Sequence, residues 1–307
     1  MRLIFAGTPV TALPVAEAVS QLHQIVAVLT RPPAAQGRSS ALVASPVAQW
    51  ADARGIEVIA PTNLRDPALA DRIQQLDPDC CVIVAYGGLI TRKLLAIPRH
   101  HWVNLHYSLL PGYRGAAPVQ RALLDGCTTT GVTTFRLVPA LDAGPVYLRR
   151  EVAVAPDETA GDLLDRMSLI GAQAMVETLA MIEAGHQPSE QPLEGISWAP
   201  KLSPDQARLD WTWPVARLVD QVRAMSPDPG AWAVLAGQRF RVLRAVSAEV
   251  PDAPEAVPGQ LRATRKKLYC RADDGWVELV QVHPAGKQPM PGADWARGAW
   301  RDGMRFD

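Results

Sequence analysis

The first half of the chain alternates short apolar runs with longer amphipathic stretches. The apolar, strand-like runs lie at 2–6, 25–29, 56–60, 81–86, 102–106, 131–138 and 145–154. The early runs are almost continuously apolar, which is typical of strands buried on both faces of a helix-covered parallel sheet. Helical patterns lie between and after them, at 10–22, 45–54, 66–76, 91–97, 115–126 and 157–185. This order predicts a doubly wound α/β domain.

A weakly patterned stretch containing Pro and Ser follows at 186–207 and predicts a linker. Beyond it, one helical pattern covers 213–225. Five short strand patterns lie near 231–235, 239–246, 259–264, 267–272 and 275–282. One helix with five strands favours a small Greek-key β-barrel of the oligonucleotide-binding (OB-like) kind. We therefore expect one domain over 1–185, a linker over 186–207 and a second domain over 208–307.

Composition and charge give no sign of a strongly basic nucleic-acid-binding protein, a disulfide-rich secreted protein or a membrane protein. The 307 residues are 48% hydrophobic, and 31 Lys and Arg balance 31 Asp and Glu, so no strong overall charge indicates a nucleic-acid partner. The four cysteines show no C-x-x-C spacing, which argues against a zinc site or a disulfide framework. The apolar start "MRLIFAG" is too short for a signal peptide, and no run has the length of a membrane span. We expect a cytoplasmic protein.

Polar stretches follow three of the predicted strands. In open α/β sheets, ligands bind beyond the carboxyl ends of the strands. "AGTP" (6–9) lacks the G-x-G-x-x-G spacing of a dinucleotide site, so a tight turn is an equal alternative. "AYGG" (85–88) allows close backbone approach to a ligand, although alone it also reads as a turn. The third stretch, "NLHYSLLPGYRGAAP" (104–118), is the richest in candidate chemistry.

Asn104 and His106 share one face of their strand because side chains alternate along a strand. A lone strand histidine is often a satisfied core residue, but a neighbouring Asn would need partners too. Asp142, in the loop "PALDAG", is the best candidate to orient the imidazole, although an Asp there could simply form a turn. With no Ser or Cys nucleophile assigned, the trio suits direct group transfer better than a hydrolase triad.

The chemistry of the trio can be stated from the residue types. The Asn amide can hydrogen-bond a carbonyl oxygen, and the His can donate to the oxyanion that develops there. The Asp can raise the pKa of the His and fix its tautomer.

These motifs resemble those of the formyltransferases that take their one-carbon unit from 10-formyltetrahydrofolate. The resemblance rests on "NLHYSLLPGYRGAAPVQRAL" with "LDAG", and extends to "RLIFAGTP", "GRSSALVASPV" and "VIVAYGGLI". "KLSPDQARLDW" and "HPAGKQPM" are similar to the branch that formylates methionyl-tRNA rather than to the purine-pathway relative. The resemblance implies a Rossmann-like formyltransferase domain followed by an OB-like domain that helps to hold tRNA.

The resemblance also implies roles for individual residues. Asn104, His106 and Asp142 would be catalytic, and the reaction would need no metal. The formyl donor would be 10-formyltetrahydrofolate and the acceptor the α-amine of initiator methionyl-tRNA, bound by a monomeric enzyme. The folate-contacting residues would be Ser108, Leu109, Leu110 and Pro111, with Val84, Ala85, Tyr86, Gly87 and Ile90 around the pterin.

Several positions depart from the family pattern. A basic "GRGKKL"-like loop is expected, but this chain reads "GRSSAL", which keeps Arg38 and replaces the lysines with Ser40 and Ala41. Phosphate contacts dominate nucleic-acid affinity, so we expect Lys201 and Lys287, in the C-terminal part of the chain, to carry more of the tRNA binding.

Three further departures lie near the candidate chemistry. Tyr107 replaces a small residue, Gly112 a basic one and Ala143 a threonine. None of these changes removes a member of the trio.

Two alternative functions remain open at this point. One is a formyltransferase acting on an amino-sugar nucleotide, which the thinned basic loop favours and the C-terminal motifs oppose. The other is a catalytically silent tRNA- or folate-binding protein, which the intact trio opposes.

Overall fold

The computed structural model describes residues 1–35, 41–250 and 256–307. The chain forms two compact units. The first unit comprises Met1–Gly115, Thr130–Val152 and Leu164–Trp198, and the second comprises Ala116–Thr129, Ala153–Leu163 and Ala199–Asp307. No helix in the described residues has the length and apolar character needed to cross a membrane.

The first half of the chain contains the predicted alternation of strands and helices. Its strands are β1 (Arg2–Gly7), β2 (Gln24–Leu29), β3 (Ala34–Ala35), β4 (Leu42–Val43), β5 (Glu57–Ile59), β6 (Cys80–Val84), β7 (Trp102–His106), β8 (Thr129–Arg136) and β9 (Val146–Ala153). Its helices are α1 (Leu13–Ser20), α2 (Pro46–Asp52), α3 (Pro67–Leu76), α4 (Arg92–Leu95), α5 (Pro118–Leu124) and α6 (Ala160–Glu183). The antiparallel pairing of the short strands β3 and β4 was not predicted from the sequence.

Local sequence explains where several helices begin. Ser45 and Asp66 accept main-chain N–H bonds in the first turns of α2 and α3, and each is followed by a proline at the first helical position. Thr91 caps α4 in the same way. Such caps satisfy N–H groups that have no partner inside the helix, and proline there loses no hydrogen bond.

A seven-stranded sheet forms the centre of this region, in the order β5-β2-β1-β6-β7-β8-β9. The pairs from β5 to β7 are all parallel, as predicted, whereas β8 runs antiparallel to β7. The strand order reverses between β1 and β6, which is the switch point of a doubly wound sheet. Every residue from Leu3 to Ala6 is fully buried, so β1 is covered on both faces.

The second unit contains an antiparallel sheet. Its elements are α7 (Val215–Met225), β10 (Ala231–Leu235), β11 (Gln238–Ala248), β12 (Leu261–Ala263), β13 (Leu268–Arg271), β14 (Trp276–Pro284), β15 (Met290–Pro291) and α8 (Gly292–Ala299). The strand order is β10-β11-β14-β13-β12, with β15 paired to β14. The helix and five strands agree with the predicted barrel domain, whereas the short elements β15 and α8 were missed.

The last residues of the chain connect the two edges of this sheet. The Leu261 N–H donates to the Met304 carbonyl at 2.8 Å, and the Asp307 N–H donates to the Val234 carbonyl at 3.0 Å. Between them, Phe306 is buried and stacks on Trp211 with ring centroids 5.2 Å apart. The C-terminal tail is therefore part of the core of the second unit.

We expect Phe306→Ala to destabilise the second unit by about 3–5 kcal/mol, because the truncation leaves a cavity beside Trp211. Val280→Ala, at a position that is 38% exposed on β14, is the control and should cost much less. Urea unfolding followed by tryptophan fluorescence measures both variants. Equal midpoints for the two variants would contradict a core role for the tail.

Candidate active site

The three polar stretches singled out in the sequence follow neighbouring strands. Gly7 at the end of β1 pairs with Val84 at the end of β6, and Val84 pairs with Leu105 of β7. These strands are parallel, so their carboxyl ends lie at one edge of the sheet. The Thr8 hydroxyl donates to the Tyr86 carbonyl at 2.8 Å, which ties the first two loops together.

Asn104 and His106 lie on the same face of β7, as the alternation predicted. His106 is 6% exposed, and its ring lies nearly perpendicular to that of Phe135, with the ring centroids 6.5 Å apart. Asn104 is only half buried. Among the described residues, none is seen to hydrogen-bond its side-chain amide, so that amide can serve a ligand.

A main-chain carbonyl determines the tautomer of His106. Its Nε2 lies 2.8 Å from the carbonyl oxygen of Tyr113. A carbonyl oxygen only accepts, so Nε2 carries the proton and donates it. In the neutral ring, the lone pair is therefore on Nδ1.

Asp142 lies beside that Nδ1, in the loop between β8 and β9. Its Oδ2 is 3.8 Å from Nδ1 of His106 and accepts the Gly115 N–H at 2.8 Å. Asp142 is itself buried and has φ of 46°, in the left-handed region that non-glycine residues seldom adopt. The structure thus brings two predicted site residues together from distant parts of the sequence.

Burial decides the charge of the resting imidazole. It lowers the pKa of His106 below the ordinary value, although the Asp142 carboxylate and the Tyr113 carbonyl act in the opposite direction. The predicted effect of Asp142, which is to raise the pKa of His106, has the expected sign, but burial has the larger effect. Desolvation outweighs a carboxylate that is 3.8 Å away.

The predicted pterin segment is divided between core and surface. Val84, Tyr86 and Ile90 are buried, whereas Ala85 and Gly87 are exposed and have φ of 47° and 78°. The Tyr86 hydroxyl is buried without a hydrogen-bond partner among the described residues. Of the predicted pterin residues, only Ala85 and Gly87 are therefore exposed to solvent.

Leu89, within the same segment, is 74% exposed. It is not among the residues named individually in the prediction, because the exposure of an apolar side chain is visible only in the structure.

The 108–111 loop uses many of its polar groups to hold its own shape. The buried Thr133 hydroxyl donates to the Ser108 carbonyl at 2.6 Å and accepts the Leu110 N–H at 3.1 Å. Arg149 donates to the Leu110 carbonyl, and the Leu109 carbonyl accepts the Gly112 N–H. The side chains of Ser108 and Leu110 are buried, which leaves Leu109 and Pro111 half exposed.

The residues predicted to bind tRNA fall in different parts of the chain. Arg38 lies outside the described residues, as does Ser40. Lys201 and Lys287 are both exposed and both belong to the second unit.

Tyr107, one of the departures from the family pattern, has a structural explanation. Its buried hydroxyl donates to the Thr11 carbonyl at 3.1 Å and lies 3.2 Å from the Ser168 hydroxyl. It therefore packs between the start of the chain and α6, away from His106.

The described residues contain no metal-binding cluster or reactive cysteine that would indicate a second active site. No cluster of His, Cys, Asp and Glu in these residues could hold a metal ion. The cysteines are free, and burial raises the pKa of the Cys80 thiol to about 12. An open groove lined by residues such as Val10, Trp50 and Leu169 contains none of the predicted site residues.

Comparison with known proteins covers both units. The family model "Formyl transferase" matches residues 1–179, and "Formyl transferase, C-terminal domain" matches residues 201–299. A methionyl-tRNA formyltransferase from Thermobifida fusca is 49% identical over 100% of this chain and 99% of its own length. One from Streptomyces coelicolor is 46% identical over 97% of each.

A solved structure gives a similar result for the fold. The methionyl-tRNA formyltransferase from Clostridium thermocellum superposes with a TM-score of 0.60 at 15% identity. The match covers 81% of this chain and 94% of that one.

We expect the imidazole of His106 to titrate below pH 6.5 and Asp142→Asn to lower its pKa further, because the substitution removes a carboxylate that favours the charged ring. NMR titration of 15N-labelled imidazoles measures both values. Just below pH 6.5, the unfolded chain binds more protons at His106 than the native state does. The free energy of unfolding therefore has its full value above pH 6.5 and decreases as the pH falls below 6.5. A His106 pKa above 6.5 would contradict this account.

Proposed function

The chain belongs to the formyl transferase family in both its N-terminal and its C-terminal part, and from this premise we propose that it transfers the formyl group of 10-formyltetrahydrofolate to the α-amine of initiator methionyl-tRNA. The observation that carries the proposal is the buried His106–Asp142 pair, two residues along β7 from the half-buried Asn104. Full-length similarity to enzymes named for this reaction supports it.

The bound folate supplies the formyl group: the amine nitrogen bonds to the formyl carbon, the bond from that carbon to N10 breaks, and one proton passes in net from the amine to N10. The protein's part is to stabilise charge and handle that proton. The Asn104 amide donates to the formyl oxygen, where negative charge develops. It suits this task because no described residue competes for it.

His106 handles the proton. Its neutral Nδ1 has a lone pair and can accept a proton, after which the ring has Nδ1–H facing Asp142 and Nε2–H on the Tyr113 carbonyl. Both groups favour the charged ring and oppose the effect of burial on its pKa without outweighing it. The role first predicted for His106, a donor to the oxyanion, requires Nε2–H to leave the Tyr113 carbonyl.

Further assignments belong to the same proposal. The exposed main chain at Ala85 and Gly87 and the half-exposed Leu109 and Pro111 bind the folate, and Leu89 adds apolar surface. Val84, Tyr86, Ile90, Ser108 and Leu110 support these groups from the core. Arg38, Lys201 and Lys287 contact the tRNA.

The organisation of the chain follows the same proposal. Residues 1–185 form the catalytic domain and 208–307 the tRNA-binding domain, joined by 186–207, in a cytoplasmic monomer. The limits of the two family matches, 1–179 and 201–299, support this division.

The alternative functions are not favoured. Relatives that are 46–49% identical over 97% or more of this chain are methionyl-tRNA formyltransferases by name. Amino-sugar formyltransferases share its fold at only 12–15% identity. Incubating the protein with 10-formyltetrahydrofolate and charged initiator tRNA, charged elongator tRNA or an amino-sugar nucleotide tests the choice. Formylation of the initiator species is expected, and formylation of the sugar alone would overturn the proposal.

We expect His106→Ala and Asp142→Asn each to lower kcat by about 100-fold or more, the scale for removing one preorganised electrostatic contributor. Folate binding should persist, because neither side chain is assigned to the folate. His186→Ala, at an exposed histidine of the first unit, is the control and should retain full activity. Near-normal turnover by either test variant would remove that residue from the catalytic trio.

We expect the double variant Lys201→Ala/Lys287→Ala to weaken tRNA binding and to lower the slope of log affinity against log salt. Each lost phosphate contact lowers the slope by about 0.9 or slightly less. Lys93→Ala is the control, since Lys93 is exposed in the first unit and lies 3.9 Å from Asp71. The tRNA affinity of each variant, measured from 50 to 300 mM salt (about a sixfold range), gives the two slopes to be compared. An unchanged slope in the double variant would exclude these lysines from the tRNA contact.

A further inference from the structure

A segment outside the predicted site, residues 189–198, borders both loops that surround His106. Ser189 and Val146 exchange two main-chain hydrogen bonds, at 2.7 and 2.9 Å, next to the Asp142 loop. Near its other end, the Ser197 carbonyl accepts the Arg114 N–H at 2.9 Å, and its hydroxyl accepts the Tyr113 N–H at 2.8 Å. This segment therefore holds the loop whose Tyr113 carbonyl fixes the tautomer of His106.

The side chain of Gln191 joins the two loops directly. Its Nε2 donates to the carbonyls of Asp142 and Gly144, at 2.9 and 2.8 Å. Its Oε1 accepts from Nη2 of Arg114 at 2.6 Å. The orientation of the amide is unambiguous, because only the nitrogen can donate to carbonyls and only the oxygen can accept from a guanidinium.

One of the hydrogen bonds of Gln191 is made to Asp142, whose backbone conformation is unfavourable by itself. Asp142 is held in a left-handed backbone conformation, with φ of 46°, which costs free energy and persists where the surroundings determine it. Gly115 binds its carboxylate, and Gln191 binds its carbonyl. Together they fix both ends of the residue that faces Nδ1 of His106.

The partner of Gln191 on the other loop is also constrained. Arg114 is 8% exposed, and its Nε has no hydrogen-bond partner among the described residues. The bond to Gln191 is therefore an important contact for a buried cation. Its loss would disturb the 113–115 loop together with the Asp142 loop.

We propose that Gln191 is a positioning residue for formyl transfer, which holds the Asp142 carboxylate against His106 by binding the Asp142 carbonyl and the Arg114 guanidinium. The inference rests on the proposed function for its kinetic consequence. Its structural consequence, the placement of Asp142 beside His106, is measurable without any substrate. The expected cost of a misplaced carboxylate is about 10- to 100-fold in kcat.

Two substitutions of Gln191 distinguish a role in positioning Asp142 from a role in packing alone. Gln191→Ala removes all three bonds. Gln191→Glu has the same size and can still accept from Arg114, but it loses both donors and places negative charge against two carbonyls. Gln187→Ala is the matched control, because within residues 1–35, 41–250 and 256–307 the Gln187 amide donates only to the carbonyl of Gly185, two residues away.

We expect both Gln191 variants to lower kcat by about 10- to 100-fold with KM for the folate donor changed by less than about twofold. The pKa of His106, followed by NMR, should fall in Gln191→Ala, because the carboxylate that favours the charged ring moves away. The titration is read on this variant, since Gln191→Glu adds a carboxylate whose own charge opposes the fall. Gln191→Ala combined with Asp142→Asn should be no slower than Asp142→Asn alone, since residues that act through one contact are not additive. The Gln187 variant should match the parent protein.

The outcomes distinguish the two proposals. If the parent protein formylates methionyl-tRNA but the Gln191 variants keep kcat within twofold and the His106 pKa is unchanged, Gln191 has no positioning role. If the double variant loses activity additively, Gln191 acts by another route and the proposal is overturned. If the parent protein formylates no tRNA, the proposed function fails, and the NMR titration alone decides whether Gln191 places Asp142.

Discussion

The site depends on the burial of one imidazole between a carboxylate and a main-chain carbonyl. Burial makes the neutral form of His106 the resting state, and the Tyr113 carbonyl places its proton on Nε2. Asp142 lies 3.8 Å from Nδ1, at the nitrogen that is left with a lone pair. A ring in this setting can take up a proton during the reaction and release it afterwards, because its surroundings pull the pKa in both directions.

That arrangement requires rigid loops, and hydrogen bonds from side chains to main chain supply the rigidity. The Thr133 hydroxyl hydrogen-bonds the main chain of Ser108 and Leu110 in the loop that follows β7. Gln191 joins the Asp142 loop to Arg114. Loops buried without such partners would leave main-chain groups unsatisfied, so the same bonds stabilise the fold and set the geometry of the site.

The second unit depends on its C-terminal tail, which binds both edges of the antiparallel sheet. Its antiparallel sheet has two edge strands, β10 and β12, and the C-terminal tail makes hydrogen bonds to both. Phe306 contributes a buried ring that packs on Trp211 and Phe240. The sequence-based expectation of five strands and one helix is correct here, but nothing in the pattern of the tail indicated that it belongs to the core.

The sequence by itself determined the order of the main strands and helices, the parallel character of the first sheet and the placement of Asn104 and His106 on one strand face. Each follows from periodicity or from polar residues at strand ends, which are local properties. Only the tertiary structure decided the neutral state of His106, the inward packing of Tyr107 and the part taken by Gln191. These depend on burial and on main-chain carbonyls brought close by distant segments. Every residue carries a carbonyl, so such contacts leave no mark in the sequence.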